Sequence, residues 1–388
     1  MKKRIYKEDE VVTCINCITE KTEELAFHNG SVTNITETES SGNNIPFVGP
    51  GLIDLQINGI NGIDFNTPSL TQEDIVNATH YLLSKGITTF LPTVVTNSDE
   101  NILKIVHTIY ETCVSNPLVN DCIWGIHLEG PFISPVEGAK GAHDEKCIKA
   151  PDWELFSKFQ EAARGKIKLI TIAPEWEGSS SFIKKCKDNG VLVSIGHSMA
   201  NTEQIRRAIE AGASLSTHLG NAVPLLLPRH PNLIWDQLAA EELYACIITD
   251  GIHIPDSFIK VVMKNKAKNT IVISDATCFA GMAPGEYQNH IGGTVILDKE
   301  KRVSLKGSPG LLAGAAKSLL ENVETLINHK LTTLSEGWQM ASSNVVEMLA
   351  KNDDAFKENN DDIVIFRLDE KEICVERVIK NGRIVFEK

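Results

Sequence analysis

No stretch of this chain is apolar for long enough to cross a bilayer as a helix. No run of Lys and Arg gathers the cations that nucleic acid or an anionic membrane surface would need, so partners of both kinds are disfavoured. The start, Met1-Lys2-Lys3-Arg4-Ile5-Tyr6-Lys7-Glu8, lacks the apolar core of a signal peptide. Nine cysteines are scattered and odd in number, which suits a reduced, cytoplasmic setting better than a disulfide framework. Cys14-Ile15-Asn16-Cys17 has no second CxxC to complete a metal site. On a strand its two thiols point to opposite faces, so it reads as a pair of ordinary strand cysteines. Short-period repeats and low-complexity tracts are also missing.

What is present is ample apolar material, 42% of 388 residues, under a net charge of −13. A large core is therefore available, and global disorder is excluded. The charge still admits a small anionic substrate held by one or two local cations. From about residue 50 to about 330, short apolar runs alternate with helix-like stretches. The runs are 51–57, 87–95, 122–128, 167–172, 191–195, 213–217, 244–248 and 270–273. They are rich in Ile, Val and Leu with little polar alternation, as expected of strands covered on both faces. Helix candidates between them include 72–84, 152–163, 202–211 and 255–266. Eight β/α units in this order predict a (β/α)₈ TIM-type barrel over 50–330. A doubly wound sheet is the competing fold. It usually has fewer strands and often a Gly-rich turn after the first, which is not found here. Residues 1–49 and 331–388 read as short strands, with Asn29-Gly30 and Asn381-Gly382 as hairpin signals. Neither set is stable alone, so they predict one small β-sandwich beside the barrel. Residues 276–293 show no clear period and read as a long loop after the eighth strand, a candidate lid.

In this fold the C-terminal ends of the strands share one cup, where the chemistry is done. Those ends read Asp54-Leu55-Gln56-Ile57-Asn58, His127-Leu128-Glu129, Gly196-His197-Ser198, Thr217-His218-Leu219, Asp250-Gly251-Ile252-His253 and Ser274-Asp275-Ala276. A lone His is more often structural than a ligand, and a lone strand-end Asp is often a helix cap. The joint pattern carries the argument, because several strands deliver His, Glu or Asp at equivalent positions. One Glu with two His matches a catalytic zinc-type site that keeps one position open for water, and the same donors suit iron or manganese. His28, His80, His107 and His329 fall away from these ends and read as structural, while His290 in the long loop stays open.

The strings Gly51-Leu52-Ile53-Asp54-Leu55-Gln56-Ile57-Asn58-Gly59, His127-Leu128-Glu129-Gly130-Pro131-Phe132, Gly196-His197-Ser198, Thr217-His218-Leu219-Gly220-Asn221-Ala222, Asp250-Gly251-Ile252-His253, Ser274-Asp275-Ala276 and Leu312-Ala313-Gly314-Ala315 resemble the N-acetylglucosamine-6-phosphate deacetylases of the amidohydrolase superfamily. They occur in that family's order over roughly residues 48 to 320. The resemblance implies one divalent metal per subunit, zinc foremost with Fe²⁺, Mn²⁺ or Co²⁺ as alternatives, held by Glu129, His197 and His218. It implies that Asp275 takes a proton from the attacking water and returns it to the amine, and that His143 polarises the acetyl carbonyl. Ala142, His143, Asn221, Ala222, Leu312, Ala313 and Gly314 would contact the sugar, and His253 and Arg229 its phosphate. Arg229 would reach in from a neighbouring subunit, which implies a homodimer. Many amidohydrolases carry His-x-His at the end of the first strand for a second metal. Here that place reads Asp54-x-Gln56, which favours one metal. The stretch 223–232 around Arg229 departs from the commonest family version, and the tail after Ala341 lacks the usual closing pattern.

The expected activity is hydrolysis of the N-acetyl group of an N-acetyl amino-sugar 6-phosphate, N-acetylglucosamine 6-phosphate first among them. Two other readings compete. One is a nucleobase deaminase or cyclic-amide hydrolase on the same barrel, against which Leu128-Glu129-Gly130-Pro131 and the phosphate contacts speak. The other is a non-catalytic sugar-phosphate sensor, against which the retention of Asp275 speaks.

Overall fold

Eight parallel strands wind in chain order around one axis: Leu52–Ile57, Ile87–Val95, Ile126–Glu129, Ile167–Ile172, Leu192–Ile195, Leu215–Ser216, Tyr244–Ile248 and Thr270–Ile273. The ring closes where the Asp275 N–H donates to the Gln56 carbonyl at 2.9 Å and the Asn58 N–H to that of Ala276 at 2.8 Å. This computed structural model describes residues 9–39, 44–288, 293–351, 353, 356 and 361–388. The first eight residues and His290 lie outside the described residues. The fold is the expected (β/α)₈ barrel.

Local signals explain the outer helices. Thr71 and Asp74 form a capping box that starts Gln72–Ser84, and Asn201 and Gln204 form another at Thr202–Ala211. The helices Trp153–Ala162 and Asp256–Lys266 likewise fill the expected stretches. Inside the barrel, Ile53, Leu55, Leu91, Leu169, Leu192, Leu215, Ile248 and Ile271 form one apolar layer. Val345, Met348 and Leu349, from the helix Ser343–Ala350, join the same cluster. That helix and Leu334–Met340 both pack against the eighth barrel strand, so residues 334–350 sit with the large barrel.

The two ends of the chain share one sheet, as expected, but it closes on itself instead of forming two layers. Its order is Asp9–Asn16, Thr22–His28, Ser31–Glu37, Arg383–Glu387, Glu372–Lys380, Ile363–Asp369 and Phe47–Pro50, and the last strand pairs in parallel with the first. The predicted sandwich is thus a small closed barrel, which leaves no free sheet edge. Cys14 packs in its core, and Cys17, just past the strand, packs in the main core; all nine thiols are free. A buried pair pins the two barrels together. Lys380 Nζ lies 2.7 Å from Asp362 Oδ2 and 3.2 Å from Thr89 Oγ1 of the second large-barrel strand.

Two further expectations are corrected. The run 122–128 begins as helix, since Pro117–Cys122 is helical under an Asn116 cap, and only Ile126–Glu129 is strand. Residues 276–293 are not simply a loop. Gly285–Gln288 pairs with Thr294–Leu297 in a four-stranded antiparallel sheet that continues through Arg302–Leu305 and Ser308–Ala315. This sheet is a wall of the cup, because Leu312, Ala313 and Gly314 line the cavity. Among the described residues, no helix is long and apolar enough to cross a membrane.

Candidate active site

The strand ends surround a cavity of about 660 Å³. Its lining includes Glu129, His143, His197, His218, His253 and Asp275, and also Ala142, Asn221, Ala222 and the Leu312–Gly314 segment. Arg229 is the one predicted site residue that is not brought there; it is exposed on the segment after the sixth strand.

Three donor atoms meet at the floor. Glu129 Oε1 lies 3.2 Å from His197 Nε2 and 3.1 Å from His218 Nε2, and the two nitrogens are 3.1 Å apart. The Ala139 carbonyl, 2.9 Å from His197 Nδ1, can only accept, so that ring carries its proton on Nδ1 and turns a lone pair to the triangle. Among the described residues, His218 Nδ1 is buried without a partner. The resulting set of lone pairs and one carboxylate is poorly satisfied by protons and well satisfied by a cation. Tetrahedral coordination at bond lengths near 2.0–2.2 Å places ligand atoms roughly 3.3–3.6 Å apart, close to these edges. The residues therefore fit a divalent metal. Glu129, His143 and His197 also have ligand atoms within 4.8 Å of one another, so His143 borders the same centre.

Backbone strain marks the same residues. His197, His218 and Asp275 each stand two residues past the end of a barrel strand and have φ of +48°, +28° and +47°. Non-glycine residues held there cost of order 1–3 kcal/mol each, and such strain concentrates at functional sites. It aims successive strand-end side chains at one point.

Electrostatics follow the geometry. Burial favours a neutral Glu129, but the neighbouring His197 and His218 rings outweigh it and hold the carboxyl well below its usual range. Burial likewise opposes charge on His218, yet the Glu129 carboxylate raises its pKa overall. Burial, reinforced by Glu129, pushes Asp275 up to about 6. Burial and His197 push His143 down to about 3, so that ring is neutral at physiological pH. His253 is oriented by Asp250, whose Oδ2 lies 2.7 Å from Nδ1 and whose Oδ1 accepts the N–H groups of Ile252 and His253. His127, beside Glu129 in sequence, is structural: Nδ1 faces the Leu55 carbonyl at 3.1 Å and Nε2 the Thr171 hydroxyl at 2.8 Å.

The pair facing the site from the first strand is Gln56 and Asn58, which corrects the reading of Asp54-x-Gln56. Gln56 Nε2 donates to Glu129 Oε1 at 2.8 Å and to Asp275 Oδ1 at 3.0 Å. Asn58 Nδ2 donates to Asp275 Oδ1 at 2.7 Å. Asp54 instead accepts from the Ser274 N–H at 3.1 Å, and burial pushes it up to about 7. The register with the second strand shifts between Asp54 and Ile57, a bulge of the kind that re-aims side chains beside active sites. Thr96, just past the second strand, was not foreseen either. Its Oγ1 lies 2.7 Å from His143 Nδ1. A signal for Asn58 was available, since it stands two residues beyond Gln56; a lone threonine at a strand end gives none.

The sequence pattern of the Amidohydrolase family matches residues 47–385. The chain belongs to the amidohydrolase family. Within it the chain is similar to the N-acetylglucosamine-6-phosphate deacetylase of Lysinibacillus sphaericus, 32% identical over 90% of this chain and 87% of that one. The N-acetylgalactosamine-6-phosphate deacetylase of Shewanella sp. (strain ANA-3) is 31% identical, over 78% and 74%. Among solved structures, the N-acetylglucosamine-6-phosphate deacetylase of Thermotoga maritima superposes with a TM-score of 0.80 at 26% identity, over 99% of this chain and 100% of that one.

Proposed function

We propose that this protein hydrolyses the N-acetyl group of an N-acetyl amino-sugar 6-phosphate, N-acetylglucosamine 6-phosphate foremost, to the amino-sugar phosphate and acetate. The observation that carries this is the donor triangle of Glu129, His197 and His218, bordered in one cavity by Asp275 and His143. Those three residues would hold one divalent metal, with zinc the first choice and Fe²⁺, Mn²⁺ or Co²⁺ the alternatives. Such a cation makes water nucleophilic near neutral pH and polarises an amide oxygen. A second cation is opposed, because the Gln56 amide hydrogens already point at Glu129 Oε1 and Asp275 Oδ1.

The chain's own residues supply the rest. Two amide donors saturate Asp275 Oδ1, which leaves Oδ2 to take a proton from the attacking water and return it to the departing amine. His143 donates to the acetyl oxygen. Ala142, Asn221, Ala222, Leu312, Ala313 and Gly314 form the sugar's walls, and His253 meets the phosphate. Among the described residues, the lining contains no Lys or Arg, so a phosphate dianion lacks a permanent cation within this chain. Arg229 would supply it from a second copy. Leu225 and Leu226, 78% and 91% exposed beside it, are apolar surface for such a contact. The free cysteines support a cytoplasmic, reduced location. The large barrel together with 334–350 would be the catalytic unit, and the small barrel an accessory domain.

An acetate-release screen over the N-acetylhexosamine 6-phosphates, with elemental analysis of protein purified without chelator, tests this reading. Release from the glucosamine compound at about one metal per chain is expected. The likeness to an N-acetylgalactosamine-6-phosphate deacetylase places the C4 epimer in the same screen. No release from any of them, or activity that tracks a second ion, overturns the reading.

A further inference from the structure

We infer that Thr96 sets the tautomer of His143, holding its Nε2–H toward the cavity, so that this ring is a hydrogen-bond donor to substrate and not a fourth ligand of the metal. The inference rests on the role given to His143 above and assigns the device that makes that role possible.

His143 and His197 lie side by side, with ring centroids 4.4 Å apart, yet their Nδ1 atoms face different chemistry. The partner of His197 is the Ala139 carbonyl, which only accepts and therefore forces a lone pair onto Nε2. The partner of His143 is the Thr96 hydroxyl at 2.7 Å, which can donate. Thr96 Oγ1 has one proton and two acceptors in reach. The second, the Glu129 carbonyl, is 3.4 Å away, well beyond the 2.7–2.8 Å typical of such bonds. The proton is therefore best placed on the line to His143 Nδ1, and His143 keeps its own proton on Nε2.

The fold is built to admit this hydroxyl. Thr96 is buried immediately after the strand Ile87–Val95. A Cβ on Gly130 would stand 2.2 Å from Thr96 Oγ1, so the glycine of Leu128-Glu129-Gly130-Pro131 makes room for it. The consequence reaches the metal. A ring nitrogen of His143 lies within 4.8 Å of ligand atoms of Glu129 and His197, so with Glu129, His197 and His218 as ligands a lone pair turned toward the centre would offer a fourth protein donor. Four protein ligands make a closed, structural site, and three leave the position that catalysis needs. Thr96 thus acts as a positioning residue that keeps the centre open.

Thr96→Val removes the hydroxyl at nearly constant shape, and Thr96→Ser retains it. The ring is read by ¹⁵N NMR of histidine-labelled protein, metal-free and zinc-loaded, with the His143 signals identified by their loss in His143→Gln. Wild type and Thr96→Ser should show His143 protonated at Nε2 in both states, and Thr96→Val should lose that pattern. Thr96→Val should also lower kcat at least ~10-fold with little change in KM, approaching the ~10²–10³-fold seen when such a donor is removed outright. Thr96→Ser should stay near wild type. A wild-type His143 protonated at Nδ1, or a Thr96→Val protein with unchanged ring signals, overturns the inference. If the ring signals follow Thr96 but His143→Gln turns over normally, the role of His143 in the reaction falls and the tautomer assignment stands.

Discussion

At the scale of single residues, the site is an arrangement of side chains that would be unfavourable anywhere else. Glu129, a buried carboxylate, and Asp275, a partly buried one, are held near each other by one amide, Gln56, which donates to both. Their surroundings push the two apart: the His197 and His218 rings hold the pKa of Glu129 low, while burial and the neighbouring charge raise that of Asp275 to about 6. Asp275→Asn should therefore leave the structure intact, since an amide oxygen still accepts from Gln56 and Asn58. It should lower turnover by at least ~10²-fold, the low end for loss of acid–base catalysis. Steady-state rates beside metal content and melting temperature check this; an Asn variant near wild-type turnover removes the assigned role. Charged residues at strand ends were legible in the sequence because several of them recur at one structural position. Thr96 was not, since a threonine after an apolar run is also an ordinary helix-cap or turn residue. Its partner is 47 residues away, and only the fold brings the two together.

At the scale of elements, legibility followed periodicity. Continuous apolar runs identified the barrel strands, but a short apolar run alone does not distinguish strand from buried helix. Cys122 was therefore assigned to the third strand, although Asn116-Pro117 before it is a helix start and Cys122 ends that helix. The strand Gly285–Gln288 failed for the opposite reason: it alternates between partly buried and exposed positions, and its sequence Gly-Glu-Tyr-Gln carries no apolar stripe. The joint between the barrels was equally hidden. Glu324, on the helix Leu319–Asn328, accepts the Ile373 N–H of the small barrel at 2.6 Å. Burial, reinforced by Glu321 and Glu372, pushes its pKa up to about 7 from an ordinary 4.5. Between those values the folded protein holds a proton that the unfolded chain has released, so this group lowers stability as pH rises from about 4.5 to about 7. Glu324→Gln keeps the acceptor and removes the charge. Thermal melts should show the variant matching wild type near pH 4.5 and melting higher at pH 8. Equal melting temperatures at pH 8 would falsify a buried, proton-retaining Glu324.

At the scale of the whole molecule, this chain lines the cavity but gives it no permanent cation among the described residues. Arg229 stands exposed outside that cavity on a segment with two highly exposed leucines. A solvated surface Arg would contribute only ~0–1 kcal/mol to anything it touches. A guanidinium that grips a phosphate through two charge-assisted hydrogen bonds is worth more, roughly 1.5–3 kcal/mol for each bond to a charged group. Arg229→Met should then cut kcat/KM for the phosphorylated sugar at least ~10-fold and affect the unphosphorylated sugar far less. Which copy the arginine serves is a separate question with its own measurement. Chains carrying Asp275→Asn and chains carrying Arg229→Met, each expected to be impaired at substrate concentrations well below KM, can be mixed under conditions of proven subunit exchange. If Arg229 crosses the interface, each hybrid dimer contains one site with both Asp275 and Arg229 intact. Activity then rises above both parents, toward a quarter of wild type when the two chains mix evenly, since about half the dimers are hybrids with one working site of two. If Arg229 folds back into its own chain's cavity, every site in the hybrid lacks one residue or the other, and mixing restores nothing.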